Sequence, residues 1–386
     1  MAKEKKADQA ASNGINASSN FLNSLLKGAE EGTHYNYINC KPVPIDSGSL
    51  ILSNYVKVKS GSSIRLASET PEAGKSSQAF LYAANFMAVM PKAKTIYIKA
   101  EARLTEELQA RTGLNFVYSA DLWKENTVFV FETNVFELIA DTLKGLLKVC
   151  HQQGEHLCII IDSLDGMILQ GDLLKDFQSK DCAVVAGVPR LLKLLYRHIG
   201  LPVNKYNALL IILSQYSSQI KMNPYAPSEK KVVESSGGNS ISFQSDYILN
   251  YLPRFKGNLL TEKEGHPDVD TNKVLGLYCD IEIKKSATDN SGYRVSVPIK
   301  KGRIGSPLTG QIWTEREVSD LLLSFQLVKK TGAWISFDEE VVKEAKNDGI
   351  ILKEKVQGVN ALFEYLEEDK AVLKYFLDKF KKILAQ

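Results

Sequence analysis

Apolar positions along this chain switch between two periods, one near 3.6 residues and one of continuous runs, and the switching predicts the elements. Phe21, Leu22, Leu25, Leu26 and Ala29 recur at helical spacing and stop at Gly32, which reads as a short amphipathic helix. The polar residues 1–18 before it, rich in Ala, Ser and Asn, are expected to be disordered. That helix either packs on its own domain or acts as a handle docking on a neighbouring copy. Lys94 to Glu101 reads as a strand ending in a carboxylate, residues 103–112 as a helix and Asn126 to Phe131 as another strand. Phe136 to Cys150 is an amphipathic helix with Phe136, Ile139, Leu143, Leu146 and Leu147 on one side. His156 to Ser163 carries the unbroken run Leu157-Cys158-Ile159-Ile160-Ile161, the pattern of a strand covered on both faces, as in a parallel sheet. Val188 to Ile199 is helical, and Asn207 to Leu213 is a second buried strand ending in Ser214-Gln215. Strands alternating with helices in this way predict a doubly wound α/β core.

Two stretches break the rhythm. Residues 166–189 mix Gly166, Gly171 and Gly187 with alternating charge and read as a long loop with some helix. Residues 216–242 hold serine pairs, two prolines and Gly237-Gly238-Asn239, with no core periodicity. Loops of this length inside a domain usually carry function. Ser245 to Leu252, Leu275 to Ile283 and Tyr293 to Ile299 alternate as strands. Gly305-Ser306-Pro307 then marks a boundary, beyond which helices surround a small hairpin signal at Gly332-Ala333-Trp334. The expected organisation is a disordered segment 1–18, a helix and linker 19–46, an α/β core 47–305 and a small α+β C-terminal domain 306–386.

Composition narrows the class. Of 386 residues, 44% are hydrophobic and 24% charged, the balance of a soluble globular chain of two or three domains. A net charge of +3 leaves any surface for a polyanion local. Cys40, Cys150, Cys158, Cys182 and Cys279 are scattered without CxxC spacing, against a disulfide framework or zinc site and in keeping with a reducing compartment. No apolar run approaches the roughly 18 residues of a membrane helix, and the first residues lack the apolar segment of a secretion signal. A cytoplasmic protein with no membrane partner is the expectation.

The candidate chemistry centres on Glu69-Thr70-Pro71-Glu72-Ala73-Gly74-Lys75-Ser76-Ser77, set between an apolar run and a helix-favouring segment. A strand, a tight loop ending in Gly-Lys-Ser and a helix form a cradle for phosphates: backbone N–H groups curl around the anion, and the helix N-terminus adds positive charge. Residues Thr70 to Ser77 are therefore the candidate nucleotide-binding segment. Within it Lys75 would reach the outer phosphates and the Ser76 hydroxyl would ligate Mg²⁺. Glu69 stands where the pattern has its first glycine, and is expected to weaken hydrolysis. Glu101, Asp162 and Gln215 follow at the ends of successive apolar strands, where open parallel sheets bind ligands. In that setting Asp162 suits the metal side, Glu101 the polarising of an attacking water, and Gln215 the sensing of a terminal phosphate.

These motifs together resemble the RecA-type recombinases of the bacterial and phage branch, over nearly the whole chain. Pro71 to Ser76 is similar to the family's phosphate loop, Ala100-Glu101 to its catalytic glutamate, Ile160-Ile161-Asp162-Ser163 to its metal-side strand and Ser214-Gln215 to its nucleotide-sensing glutamine. Gly237-Gly238-Asn239 with Phe243 resembles the end of its second DNA loop, and Thr331 to Phe337 its C-terminal domain. The resemblance implies ATP and Mg²⁺ as cofactors, self-association into a helical filament on single-stranded DNA, and strand exchange with homologous duplex DNA in a bacterial or phage-infected cell. It implies further that Lys284 and Lys285 reach the phosphates from a neighbouring subunit. The DNA would run along the two long loops, with Arg190, Lys221, Lys230 and Lys231 as cations, Tyr216 and Tyr225 as stacking surface, and Gly237, Gly238 and Asn239 as backbone donors. Two other readings stay open: a ring helicase or loader ATPase on the same core, and a hydrolysis-deficient filament or mediator protein.

Overall fold

The computed structural model describes residues 17–29, 33–101, 104–173, 187–218, 233–235, 244–262, 272–302 and 306–384, with backbone alone at 187–190, 217–218, 233–235 and 256. Residues 1–41 and 42–386 are distinct units. In the first, helix α1 occupies residues 17–28, beginning two residues inside the stretch expected to be disordered. His34 Nε2 lies 2.8 Å from the Leu26 carbonyl oxygen and so ties the following turn back to this helix.

The second unit is built on one sheet, in which eleven strands are seen among the described residues. Its strands are β1 Ser63–Ser68, β2 Ala93–Lys99, β3 Asn115–Val117, β4 Thr127–Phe131, β5 His156–Asp162, β6 Leu209–Ser218, β7 Val233–Ser235, β8 Tyr247–Tyr251, β9 Leu259–Thr261, β10 Val274–Lys285 and β11 Arg294–Lys300. They lie in the order β11-β10-β8-β1-β6-β5-β2-β4-β3, with β7 on β6 and β9 on β10. From β8 to β3 every pair along that path is parallel, while β10 and β11 extend the β8 edge antiparallel. The fold is therefore α/β with a mostly parallel central sheet, as the strand–helix alternation predicts.

Helices α2 Leu50–Tyr55, α3 Lys75–Val89, α4 Glu106–Thr112, α5 Phe136–Gln152, α6 Gln170–Leu173 and α7 Gly187–Lys205 join the strands. The continuous apolarity of β5 is explained by two-sided cover. Ile160 packs into a core with Phe80, Tyr82 and Leu66, whereas Ile159 and Ile161 pack into a second core with Leu143, Leu192 and Ile199. Each face takes alternate residues because side chains leave a strand on opposite sides. Helix α7 runs past Gly200 and Pro202 to Lys205, further than its sequence pattern suggests, and the extra turn buries Val203 in the second core.

The stretch 216–242 departs from the expected structureless loop. Strand β6 continues to Ser218 and turns its pairing to β7, with Tyr216 opposite Ser235 and Ser218 opposite Val233. Backbone pairing defines this hairpin base, and no apolar periodicity announces it in the sequence.

Beyond the sheet come α8 Thr314–Ser324, β12 Val328–Thr331, β13 Trp334–Phe337, α9 Glu339–Asn347, β14 Val356–Gln357, α10 Gly358–Glu368 and α11 Lys370–Leu384. The three strands make a separate antiparallel sheet, β12-β13-β14. Phe337, Leu362, Phe376 and Phe380 form its core, which Leu50 of α2 joins. A buried carboxylate ties this region to α2. Glu317 of α8 accepts hydrogen bonds from the Ser49 hydroxyl, from Leu50 N at 3.2 Å and from Ile51 N at 3.1 Å, so it caps the helix from outside. Burial raises the Glu317 carboxyl to about 7, against the lowering influence of those donors.

A native pKa above that of the unfolded chain means the folded state holds a proton that the unfolded state has lost. Stability contributed by Glu317 is thus full below about pH 4.5 and falls as pH rises towards 7, by at most about 1.4 kcal/mol per pH unit. Urea unfolding at pH 5 and pH 7.5 should show a drop in wild type that is smaller in Glu317→Gln; equal drops in both would refute the assignment.

Candidate functional site

The parallel strands end along one rim, and the chain's chemistry-bearing loops leave from it. Register places Ser68 of β1 beside Gln215 of β6 and Tyr251 of β8, and Lys99 of β2 beside Asp162 of β5. A cleft of about 920 Å³ opens there, lined by Pro71 to Gln78, Glu101, Asp162, Gln215 and Arg254 among others.

The loop from β1 to α3 is shaped by its backbone. Gly74 caps α3 at φ +99°, a left-handed conformation that costs glycine little, and the space a Cβ would occupy there is clear of other atoms to 4 Å. Glu72 is also left-handed, at φ 56°, and the Arg254 guanidinium donates to its carbonyl oxygen. The Cys279 thiol lies 3.5 Å from the next carbonyl, that of Ala73. Lys75 turns back along the loop and donates to the Ser68 hydroxyl, which itself donates to the Thr70 carbonyl at 2.7 Å.

Asp162 is the polar centre of the rim. Its Oδ2 accepts from the Ser76 hydroxyl at 2.9 Å and from the Tyr97 hydroxyl at 3.0 Å. Burial raises its carboxyl above the usual range, opposed by those two donors and by the Lys75 charge. Tyr97, shut inside the sheet against this carboxylate, has its phenol pushed far above the ordinary value. Glu101 reaches the same neighbourhood differently from its expected position at a strand end. It lies two residues beyond β2, where its amide and that of Ala100 donate to the Asp162 carbonyl at 3.2 and 2.8 Å, and its carboxylate accepts from Ser163. Gly166 makes this crossing possible, since a Cβ there would meet the Ala100 carbonyl oxygen at 2.7 Å.

Gln215 lines the cleft from within β6, not from its end, and its backbone N–H donates to Asp165 Oδ2 at 2.9 Å. Glu69 is exposed, and neither it nor Thr70 is part of the lining. Lys284 and Lys285 are not brought to the cleft of their own chain. Lys285 sits opposite Ile248, three residues back from Tyr251, and Lys284 pairs with Glu282 at 2.8 Å. Tyr216 is half-buried under the Arg65 guanidinium. Arg190 stands in α7 with only its backbone described, and Lys221, Tyr225, Lys230, Lys231, Gly237, Gly238 and Asn239 lie outside the described residues.

Tyr97, Arg254 and Cys279 were not legible as site residues. Arg254 carries no signal in the sequence, because only the pairing of β8 with β1 brings it to the loop between β1 and α3. Tyr97 carries none: it is an aromatic residue inside a strand, and only the pairing of β2 with β5 brings its hydroxyl to Asp162.

No family model matches the chain. It is similar to curated proteins named Protein RecA: from Mycoplasma mycoides subsp. mycoides SC, 22% identical over 59% of this chain and 55% of that protein; from Rickettsia prowazekii, 22% over 62% and 65%; and from Helicobacter acinonychis, 21% over 61% and 57%. The chain thus spans somewhat more than half the length of these relatives, and the matches support a distant relationship to the RecA family.

Gly166→Ala should force the Ala100–Glu101 segment away from Asp162 and destabilise the fold by about 1–3 kcal/mol, as overpacked sites do. Chemical denaturation measures it, and a change within experimental error would mean that the crossing is not tight.

Proposed function

We propose that this chain is an ATP-dependent DNA recombinase of the RecA type, which assembles as a helical filament on single-stranded DNA and pairs it with homologous duplex. The observation that carries the reading is the meeting of Ser76, Asp162, Glu101 and Gln215 around one glycine-capped loop at the rim of a parallel sheet. Relatives named for RecA support the same class.

The residues fit the groups this reading requires. The cleft is large enough for a nucleotide, and its loop leaves an open face at Gly74 beside the N-terminus of a 15-residue helix. Ser76 and Asp162 offer hydroxyl and carboxylate oxygens 2.9 Å apart, the hard donors that suit Mg²⁺. Among the described residues no cluster of three or more His, Cys, Asp or Glu forms a closed metal cage. An open pair of that kind is what a metal shared with phosphate oxygens and water uses. When bound, Mg²⁺ neutralises charge on the phosphates.

The protein's own groups would do the rest. Loop amides and the α3 N-terminus bind and orient the phosphates, with Lys75 turning from Ser68 towards them. Tyr97 and Ser76 hold the Asp162 carboxylate in place, oriented to offer an oxygen to a cation in the cleft. Glu101, anchored by Ser163, orients the attacking water and accepts its proton. Gln215 reports the terminal phosphate to β6 and its hairpin. Lys284 and Lys285 would approach the phosphates of an adjacent subunit, and α1 would dock on that subunit. The segments 166–190 and 216–242 would carry the DNA, with Arg190, Tyr216, Lys221, Tyr225, Lys230 and Lys231 providing charge and stacking and Gly237, Gly238 and Asn239 backbone donors.

Lys75→Ala should weaken binding of a fluorescent ATP analogue by about 10–100-fold and abolish nucleotide-dependent filaments in negative-stain images. Glu101→Gln should keep DNA binding yet slow hydrolysis by about 10²–10⁴-fold. Strand exchange at the parent rate by both variants would end this reading. Directional unwinding without a need for homology would instead favour a ring helicase.

A further inference from the structure

The central strand β1 contains a charge where apolar side chains are the rule. Arg65 is 1% exposed, flanked by Ile64 and Leu66, both completely buried. Its side chain leaves the sheet on the side of α5 and α7, away from the cleft, as its register partner Ile212 does. There Arg65 Nε donates to the Ser214 hydroxyl at 2.8 Å, and the guanidinium lies over the Tyr216 ring at 5.8 Å from its centroid. Ser214 and Tyr216 are the two neighbours of Gln215, which points to the opposite face and lines the cleft.

We infer that Arg65 is a positioning residue: it grips β6 on both sides of Gln215 and thereby couples the nucleotide cleft to the β6–β7 hairpin. The inference rests on the recombinase reading above. A guanidinium is suited to the task, because its planar fork hydrogen-bonds and stacks at once. A buried cation tolerates small displacements of its partners poorly, since each lost contact leaves charge in a medium of low polarity. The positions of Ser214 and Tyr216 are therefore stiffly linked, and a shift of Gln215 is passed along the strand to Tyr216, the first residue paired with β7. Asp165, whose carboxylate accepts from the Gln215 backbone N–H, also contributes its charge to the environment of Arg65. One backbone segment is thus held at Gln215 by Asp165 and on both sides of it by Arg65.

The test compares coupling with binding. Nucleotide affinity is measured with a fluorescent ATP analogue, and affinity for a single-stranded oligonucleotide is measured with and without a slowly hydrolysed ATP analogue. In Arg65→Met, which keeps the bulk of the side chain and removes its charge and donors, nucleotide affinity should stay within about twofold of wild type. The nucleotide-dependent tightening on DNA should fall by about tenfold or more, in the range of ordinary coupling energies. Arg65→Lys, charged but without the planar fork, should recover only part of it. If Arg65→Met does not fold, Ser214→Ala removes the hydrogen bond alone and should reduce the tightening by about threefold in protein that circular dichroism shows to be folded. Full coupling in a folded Arg65→Met, or in Ser214→Ala, would overturn the inference, as would a parallel loss of nucleotide affinity. Absence of any nucleotide effect on DNA binding in the wild type would instead fail the recombinase reading itself.

Discussion

A carboxylate withdrawn from water at the end of a buried strand is the constraint around which the site is arranged. Asp162 closes a strand whose interior is wholly apolar, and the same cover that excludes solvent from Ile159, Ile160 and Ile161 raises the energy of its ionised form. Two hydroxyls, from Ser76 on the loop helix and Tyr97 on the adjacent strand, offset part of that energy. Neither is a cation. The Lys75 charge adds to their effect, yet burial still holds this carboxyl above its usual range.

The loop and its surroundings follow from that arrangement. Parallel strands present their C-terminal ends together, so the turns that leave β1, β2 and β5 converge with Gln215 of β6 without their being near in sequence. Arg254, just beyond the neighbouring β8, and Cys279 of β10 touch two successive carbonyls of the loop between β1 and α3 and hold its strained portion at Glu72. Gly166 lets the segment after β5 pass under the segment after β2, and this crossing keeps Glu101 beside Ser163. On the reverse face Arg65 occupies the slot an aliphatic side chain would fill, and fixes β6 where it leaves the parallel sheet for the hairpin. The C-terminal region is joined by its own device, a buried glutamate from α8 seated on the N-terminus of α2.

Much of this was open to reading from residue order alone. Period and apolar continuity determined the alternating strands and helices, the two-sided burial of β5 and the loop between β1 and α3, because those signals reflect local geometry and burial that any fold of the chain must satisfy. Residue chemistry likewise singled out Lys75, Ser76, Glu101, Asp162 and Gln215, all five of which line one cleft, whereas the candidates Lys284 and Lys285 do not. Only the tertiary structure decided the remainder. Strand order brought Tyr97 to Asp162, and antiparallel β10 brought Cys279 to the loop. Pairing of backbone groups extended β6 into a hairpin that no side-chain pattern marks. The difference is physical: periodicity records which way a side chain faces, whereas the identity of the neighbour it meets is set by contacts between segments far apart in the chain.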